Sequence, residues 1–122
     1  MKILIFDLSE TLFDTQKNVP LILKSELETL IIKGWTLNLF TAADKKYTQN
    51  IVNRFYNGVF ELIITKDDVL NTKPNSEGLV KILFNYKDLE EIIYIGDSQN
   101  DFLAAQSLNI AFATPQLFKL LL

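Results

Sequence analysis

Five side chains in this sequence have the types and spacing to act together: Asp7, Thr41, Lys73, Asp97 and Asp101. Asp7 stops the apolar run Lys2-Ile3-Leu4-Ile5-Phe6, and Thr41 stops the run Trp35 to Phe40. Lys73 closes the polar loop that begins at Thr65 after a third run, and Asp97 follows a fourth, Glu91 to Ile95, with Asp101 four residues on. A carboxylate can attack phosphorus. A threonine hydroxyl and a lysine ammonium can hold phosphate oxygens. Asp7 and Asp97 can share a magnesium ion, which takes carboxylate, water and phosphate oxygens. Positive charge there would offset the repulsion between an anionic nucleophile and an anionic substrate. Taken singly, each residue has a plainer reading; an aspartate after a strand is often only a turn-former. The chemistry becomes coherent only if all five meet.

The elements between them say how they could meet. The first run is rich in branched residues and reads as a strand buried on both faces. After a short link, Asp14 to Asn18, Asn18 is expected to cap a helix with Pro20 in its first turn and Leu23, Leu27, Leu30 and Ile31 on its apolar face. Gly34 should end it. The second strand runs from Trp35 to Thr41. Asp44 should cap a second helix whose stripe of Tyr47, Ile51, Val52 and Phe55 is read as core packing. A third strand is expected over Val59–Ile64, and a helix opened by Pro74 and Asn75 with Leu79, Val80, Ile82 and Leu83 apolar. The fourth strand, Glu91–Ile95, a helix from about Asn100 to Ser107 and a last strand, Ile110–Ala113, complete the pattern. Strands alternating with helices predict one α/β domain over residues 1–122, three layers with a central parallel sheet of about five strands. In such a sheet ligands bind beyond the carboxyl ends of the strands, where these side chains lie. The tail, Gln116 to Leu122, is either a last helical turn on the core or an apolar patch that joins another subunit.

Composition narrows the chemistry further. The 122 residues are 48% hydrophobic and 22% charged, as in a soluble domain with a real core. Twelve basic and fifteen acidic side chains give a net charge of −3, which argues against a general nucleic-acid or membrane binder. No apolar run is long enough for a bilayer, and the amino terminus is too short in apolar residues for a signal peptide, so a cytoplasmic location is expected. With no cysteine there is no thiolate nucleophile or zinc–sulfur site, and with no histidine no imidazole acid, base or ligand.

Phe6-Asp7-Leu8-Ser9-Glu10-Thr11-Leu12-Phe13-Asp14 resembles the first motif of the haloacid dehalogenase superfamily of phosphohydrolases. Leu39-Phe40-Thr41 is similar to its second, Lys73-Pro74 to its third, and Ile93-Tyr94-Ile95-Gly96-Asp97-Ser98-Gln99-Asn100-Asp101 with Ala104-Ala105 to its fourth. The resemblance implies Asp7 as a nucleophile that forms an aspartyl-phosphate, and Thr41, Ala42 and Lys73 as phosphate-binding. It implies Mg2+ held by Asp7, Asp97 and the backbone carbonyl of Ser9, with Asp101 supporting the metal shell or Lys73. Lys66 is a rival to Lys73 that lacks the following proline; Asp14, Asp67 and Asp68 are read as solvated loop charges. The superfamily places its cap domains in the links after the first and third strands. Both are short here, so a capless member with an open site is expected, acting on a phosphorylated small molecule or a phosphoprotein.

One position departs from the pattern. The family's phosphatases usually carry a second aspartate two residues after the nucleophile, as general acid and then base; here Ser9 stands there. A serine hydroxyl cannot fill that role near neutral pH, and losing such a group costs roughly 10²–10⁴ in rate. Glu10 is one residue away but should point elsewhere. A second reading is therefore a weak or inactive relative that binds a phosphorylated ligand or a protein. A two-component receiver domain is a third, set aside because its acceptor aspartate lies at the third strand, not the first.

Overall fold

The computed structural model describes every residue except Leu121, so the expectation for the tail at that one position lies outside the described residues. In chain order the elements are β1 (Lys2–Phe6), a hairpin of β2 (Phe13–Asp14) and β3 (Val19–Pro20), α1 (Lys24–Ile32), β4 (Trp35–Phe40), α2 (Lys45–Phe55) and β5 (Leu62–Ile64). A 3-10 turn (Lys66–Asp68) leads to α3 (Glu77–Leu83), β6 (Glu91–Ile95), α4 (Gln99–Ser107), β7 (Ala111–Ala113) and α5 (Pro115–Lys119).

Both faces of β1 are apolar because both are covered. Leu4 and Phe6 enter one core with Leu27 and Leu30 of α1, Ile51 and Val52 of α2, and Phe118 of α5. Ile3 and Ile5 enter the other with Leu79 and Ile82 of α3 and Ala104 and Ala105 of α4. Each such Leu, Ile or Phe contributes about 1.5–3 kcal/mol by leaving water. The result is the expected three-layer α/β domain: a five-stranded sheet in the order β5-β4-β1-β6-β7, with every neighbouring pair parallel. The chain moves outward from β1 to β4 and β5, then returns to β6 on the other side of β1. That reversal opens a crevice at the carboxyl ends of the central strands.

Several boundaries differ from expectation for local reasons. Asn18 does not cap a helix. It adopts a left-handed backbone (φ 56°) in a hairpin where Phe13 and Asp14 pair antiparallel with Pro20 and Val19. The Asp14 carboxylate accepts from the N–H groups of Gln16 and Lys17, both at 3.0 Å, so this loop charge also builds the turn. The first helix starts at Lys24 with Leu23 as its cap residue, and Leu23 and Ile31 are exposed while Leu27 and Leu30 are buried. Strand β5 is shorter than Val59–Ile64 because Val59 turns into the core, its N–H donating to Tyr56 O at 3.2 Å. Pro74 and Asn75 precede α3, which begins at Glu77; the Asn75 side chain accepts from Glu77 N. Val80 and Tyr47 face outward and leave their stripes to Leu79, Ile82, Ile51 and Val52. At the tail, α5 docks through Phe118, whose ring meets that of Phe6 edge-on at 5.4 Å, while Leu117 and Leu120 are exposed. No helix among the described residues is long and apolar enough to cross a membrane.

Candidate active site

The sheet itself lines up the site. Past the last residue of β1, the Asp7 N–H continues the ladder to Ile95 O at 2.9 Å. Past β4, Thr41 N donates to Ile64 O at 3.0 Å, and past β6, Gly96 N donates to Ala113 O at 3.1 Å. Asp7, Thr41 and Gly96-Asp97 therefore sit in one row along the carboxyl edge, fixed by backbone hydrogen bonds before any side chain acts.

Lys73 reaches this row from the loop between the 3-10 turn and α3. Its ammonium donates to Asp7 Oδ1 at 2.8 Å, Asp101 Oδ1 at 2.6 Å and Phe40 O at 3.1 Å. An ammonium has three donors, so all three are engaged within the protein. Its side chain is only 5% exposed, with the rings of Phe40 and Tyr94 at 4.9 and 5.5 Å. Tyr94 donates to the same Asp101 Oδ1 at 2.9 Å. Two carboxylates thus share one ammonium, and they fare differently. Burial pushes Asp7 up to about 7, only partly opposed by Lys73, and the nearby Asp101 charge adds to the push. Burial also works against the charge of Asp101, but Lys73, Tyr94 and Ser98 together outweigh it and hold that carboxyl below its ordinary value. The Tyr94 hydroxyl is raised well above the usual range by burial and by the Asp7 and Asp101 charges, so it stays a donor at neutral pH.

Two glycines make room for this group. A Cβ on Gly96 would lie 2.6–2.7 Å from Asp101 atoms, and one on Gly78 would lie 2.2–2.7 Å from the Phe40 ring. Asp101 is held further by a reciprocal cap on α4: its N–H donates to Ser98 Oγ, and its Oδ2 accepts from Ser98 N at 3.2 Å.

Asp7, Asp97 and Asp101 each offer a carboxylate oxygen, all within 4.8 Å of one another. This oxygen-only set fits a hard cation such as Mg2+. Asp101 has both oxygens committed, one to Lys73 and Tyr94 and the other to Ser98. Asp97 is exposed, and among the described residues its side chain takes one hydrogen bond, from Thr11 Oγ1 at 3.3 Å. Asp7 and Asp97 are thus the freer ligands. The Ser9 carbonyl takes no part in the backbone hydrogen bonds of the turn among the described residues.

A cleft of about 160 Å³ opens over these groups, lined by Asp7, Ser9, Thr41 to Ala43, Lys73, Ser98, Asn100 and Asp101. A larger hollow, about 280 Å³, lies beside Ile31, Trp35 and Phe60 toward the opposite end of the strands, but among the described residues Glu61 is its only ionisable group. Among the described residues no separate folded module covers the cleft; the link after β1 carries only the hairpin and the link after β5 only the 3-10 turn.

The sequence-predicted residues Asp7, Ser9, Thr41, Ala42, Lys73 and Asp101 all line the cleft, with Asp97 at its edge. Lys66 does not join them; it is exposed on the 3-10 turn. Glu10 is turned away, its carboxylate accepting from Thr15 N at 2.8 Å and from the Thr15 hydroxyl. Asp67 and Asp68 stay in the loop outside the cleft, Asp67 exposed, and each also braces the backbone: Asp67 accepts from Lys45 N at 2.8 Å, and Asp68 accepts from Thr65 N and Oγ1 at 2.9 Å. Sequence reasoning missed Thr11, Phe40, Tyr94, Ser98 and Asn100. All five lie inside the four quoted motifs or beside them, which was the available signal.

The comparisons with known proteins agree on the fold. A structure from Geobacter sulfurreducens, described as a HAD-superfamily hydrolase of subfamily IA, variant 1, superposes with a TM-score of 0.77 at 18% identity, covering 92% of this chain and 88% of that one. A hydrolase from Streptococcus pneumoniae gives 0.76 at 15%, covering 93% and 92%. The D,D-heptose 1,7-bisphosphate phosphatase of B. bronchiseptica, solved with magnesium and phosphate, gives 0.67 at 21%, covering 93% and 79%. No curated protein sequence matches the chain. A family model for haloacid dehalogenase-like hydrolases matches residues 23–114, a stretch that includes Thr41, Lys73, Asp97 and Asp101 and begins after Asp7 and Ser9. With the match extending over most of its length, the chain belongs to the haloacid dehalogenase-like hydrolase family.

Proposed function

We propose that this protein is a magnesium-dependent phosphohydrolase that acts through an aspartyl-phosphate on Asp7, with Ser9 in place of the usual second aspartate. The observation that carries the reading is the Lys73 ammonium wedged between Asp7 and Asp101 at the carboxyl edge of the sheet, beneath an open cleft. An Asp7 oxygen attacks phosphorus; the O–P bond to Asp7 forms as the bond to the leaving oxygen breaks. The Thr41 hydroxyl and the backbone at Ala42 receive phosphoryl oxygens. Lys73 has no donor to spare, so it aims Asp7 and meets the phosphoryl group by charge. Asp7, Asp97 and the Ser9 carbonyl would hold Mg2+, which would supply further positive charge to a site that has three carboxylates and one ammonium. An open cleft suits a phosphorylated small molecule or a phosphoprotein.

The leaving oxygen must take a proton, and water must later be activated against the acyl phosphate. Ser9 does neither, and Glu10 is held by Thr15. This favours a second reading, a weak or inactive relative that binds a phosphorylated ligand or a protein. Turnover of an aryl phosphate and acid-quenched phosphoprotein, measured with magnesium, decide between them. In the wild type the aspartyl-phosphate forms from a good leaving group and persists. Ser9→Asp raises turnover by roughly 10²–10⁴. Asp7→Asn abolishes both signals. Equal background in all three proteins would remove the enzyme reading and leave the binding module.

A further inference from the structure

Lys73 comes from a loop, on a flexible four-carbon stem, and an ammonium is a mobile point charge. Something must keep it on Asp7 and away from Asp97 and solvent. Its other partner, Asp101, accepts on one oxygen from Ser98 and on the other from Tyr94. We propose that Tyr94 is a positioning residue, whose hydroxyl fixes Asp101 and whose ring, with that of Phe40, walls in the Lys73 ammonium against Asp7. The inference rests on the function proposed above for Asp7 and Lys73, and adds a residue to which that reading gives no role.

The plain alternative is that Tyr94 only fills the core. It is fully buried, stacks on Phe40 at 6.1 Å and meets Phe112 edge-on at 6.1 Å. Phenylalanine would serve those contacts equally well. The hydroxyl is what phenylalanine lacks, and it sits 2.9 Å from Asp101 Oδ1 and 3.4 Å from Phe40 O, the two acceptors that also hold Lys73. A buried hydroxyl placed between the two anchors of a buried ammonium does more than fill space. The ring contributes as well, because a cation beside two aromatic faces is attracted to them. Gly78 belongs to the same arrangement, since only a residue without a Cβ lets the Phe40 ring lie where it does.

The test is Tyr94→Phe, which keeps the ring and removes the hydroxyl. Two readouts are taken on protein whose circular dichroism matches the wild type. The first is hydrogen exchange of the Lys73 side-chain ammonium, observed by 15N NMR and assigned by its loss in Lys73→Met. The wild type gives a slowly exchanging signal, and Tyr94→Phe exchanges about tenfold faster, the loss of one hydrogen bond to a charged group. The second is the rate of Asp7 phosphorylation by an aryl phosphate with magnesium, which falls by a similar factor. Unchanged ammonium exchange overturns the proposal whatever the activity. Faster exchange with undiminished phosphorylation overturns it too. If no variant is phosphorylated at all, the enzyme reading falls and the NMR readout alone decides the role of Tyr94.

Discussion

Asp7 carries a charge that its surroundings only partly support. Burial raises its carboxyl to about 7 in spite of a lysine at 2.8 Å, because that lysine is shared with Asp101. The sign of the consequence for stability follows from linkage. The unfolded chain releases this proton near pH 3.8 and the folded one near 7, so between those values the folded state holds the extra proton. Without metal, this group therefore makes stability fall as pH rises from about 4 to about 7 and then level off. Asp7→Asn removes that slope. In EDTA at pH 8 the variant should be the more stable by on the order of 1–2 kcal/mol, with the gain vanishing near pH 4, as read from urea denaturation at each pH. A variant that is less stable at pH 8 would show that the Lys73 pair, not burial, dominates. Asp101 behaves oppositely: its lowered value contributes stability above pH 3.8 that is lost as pH falls through the folded value. Asp7 and Asp101 thus share one ammonium but differ in their hydrogen-bond partners.

At the level of elements, the hairpin that follows β1 is held at its base. The buried Tyr56 hydroxyl, at the end of α2, lies within hydrogen-bonding distance of Leu12 O and Ile22 O. Leu21 N and Ile22 N both donate to Leu12 O, at 2.7 and 3.2 Å. One side chain thus closes the segment that follows Asp7. Tyr56→Phe should cost about 1 kcal/mol of stability. It should also speed exchange of the Leu21 and Ile22 amides more than those of β1, which hydrogen-exchange NMR resolves; uniform change across the sheet would place the effect in the core instead. On the other face, α3 approaches β4 through Gly78. Gly78→Ala forces the Phe40 ring to move, and overpacking of this kind should lower stability by roughly 1–3 kcal/mol in a denaturation curve. An unperturbed alanine variant would mean that the ring has room to shift.

Across the molecule, Asp7 follows β1 and Asp97 follows β6, so a cation that binds both ties the carboxyl ends of these two strands together. Magnesium should stabilise the whole fold by linkage, by about 1.4 kcal/mol at ten times its dissociation constant. Thermal melts with and without magnesium measure this. Asp97→Ala should abolish the shift, because Asp97 is exposed and its loss costs the metal-free fold little. A shift that survives in Asp97→Ala would place the metal elsewhere. The sheet order brings the site together: β1, central and buried on both faces, delivers Asp7 between the β4 and β6 ends that supply Thr41 and Asp97.

Periodicity and strand-end chemistry are local properties, and these the sequence determined by itself. Apolar runs of five or six residues, each ending at a polar side chain, specified a parallel α/β sheet. The right-handed connections of such a sheet then required Asp7, Thr41 and Asp97 to share an edge. The motifs added Lys73 and Asp101 to that edge. What the sequence could not determine depends on partners distant along the chain. Asn18 and Pro20 satisfy the local rules for a helix start, but Val19 and Pro20 pair with Phe13 and Asp14, and that pairing wins. Asp14, Asp67 and Asp68 read as solvated loop charges, and the sequence did not show that they also accept from the backbone N–H groups of Gln16, Lys45 and Thr65. Tyr94 and Phe40 look like ordinary core residues. Only when α3 and α4 pack on one face of the sheet does the Lys73 ammonium come to lie beside both rings, with Gly78 and Gly96 clearing the space. The charge state of Asp7 was decided in the same way, since it depends on how deeply the assembled site is buried and on a lysine 66 residues away.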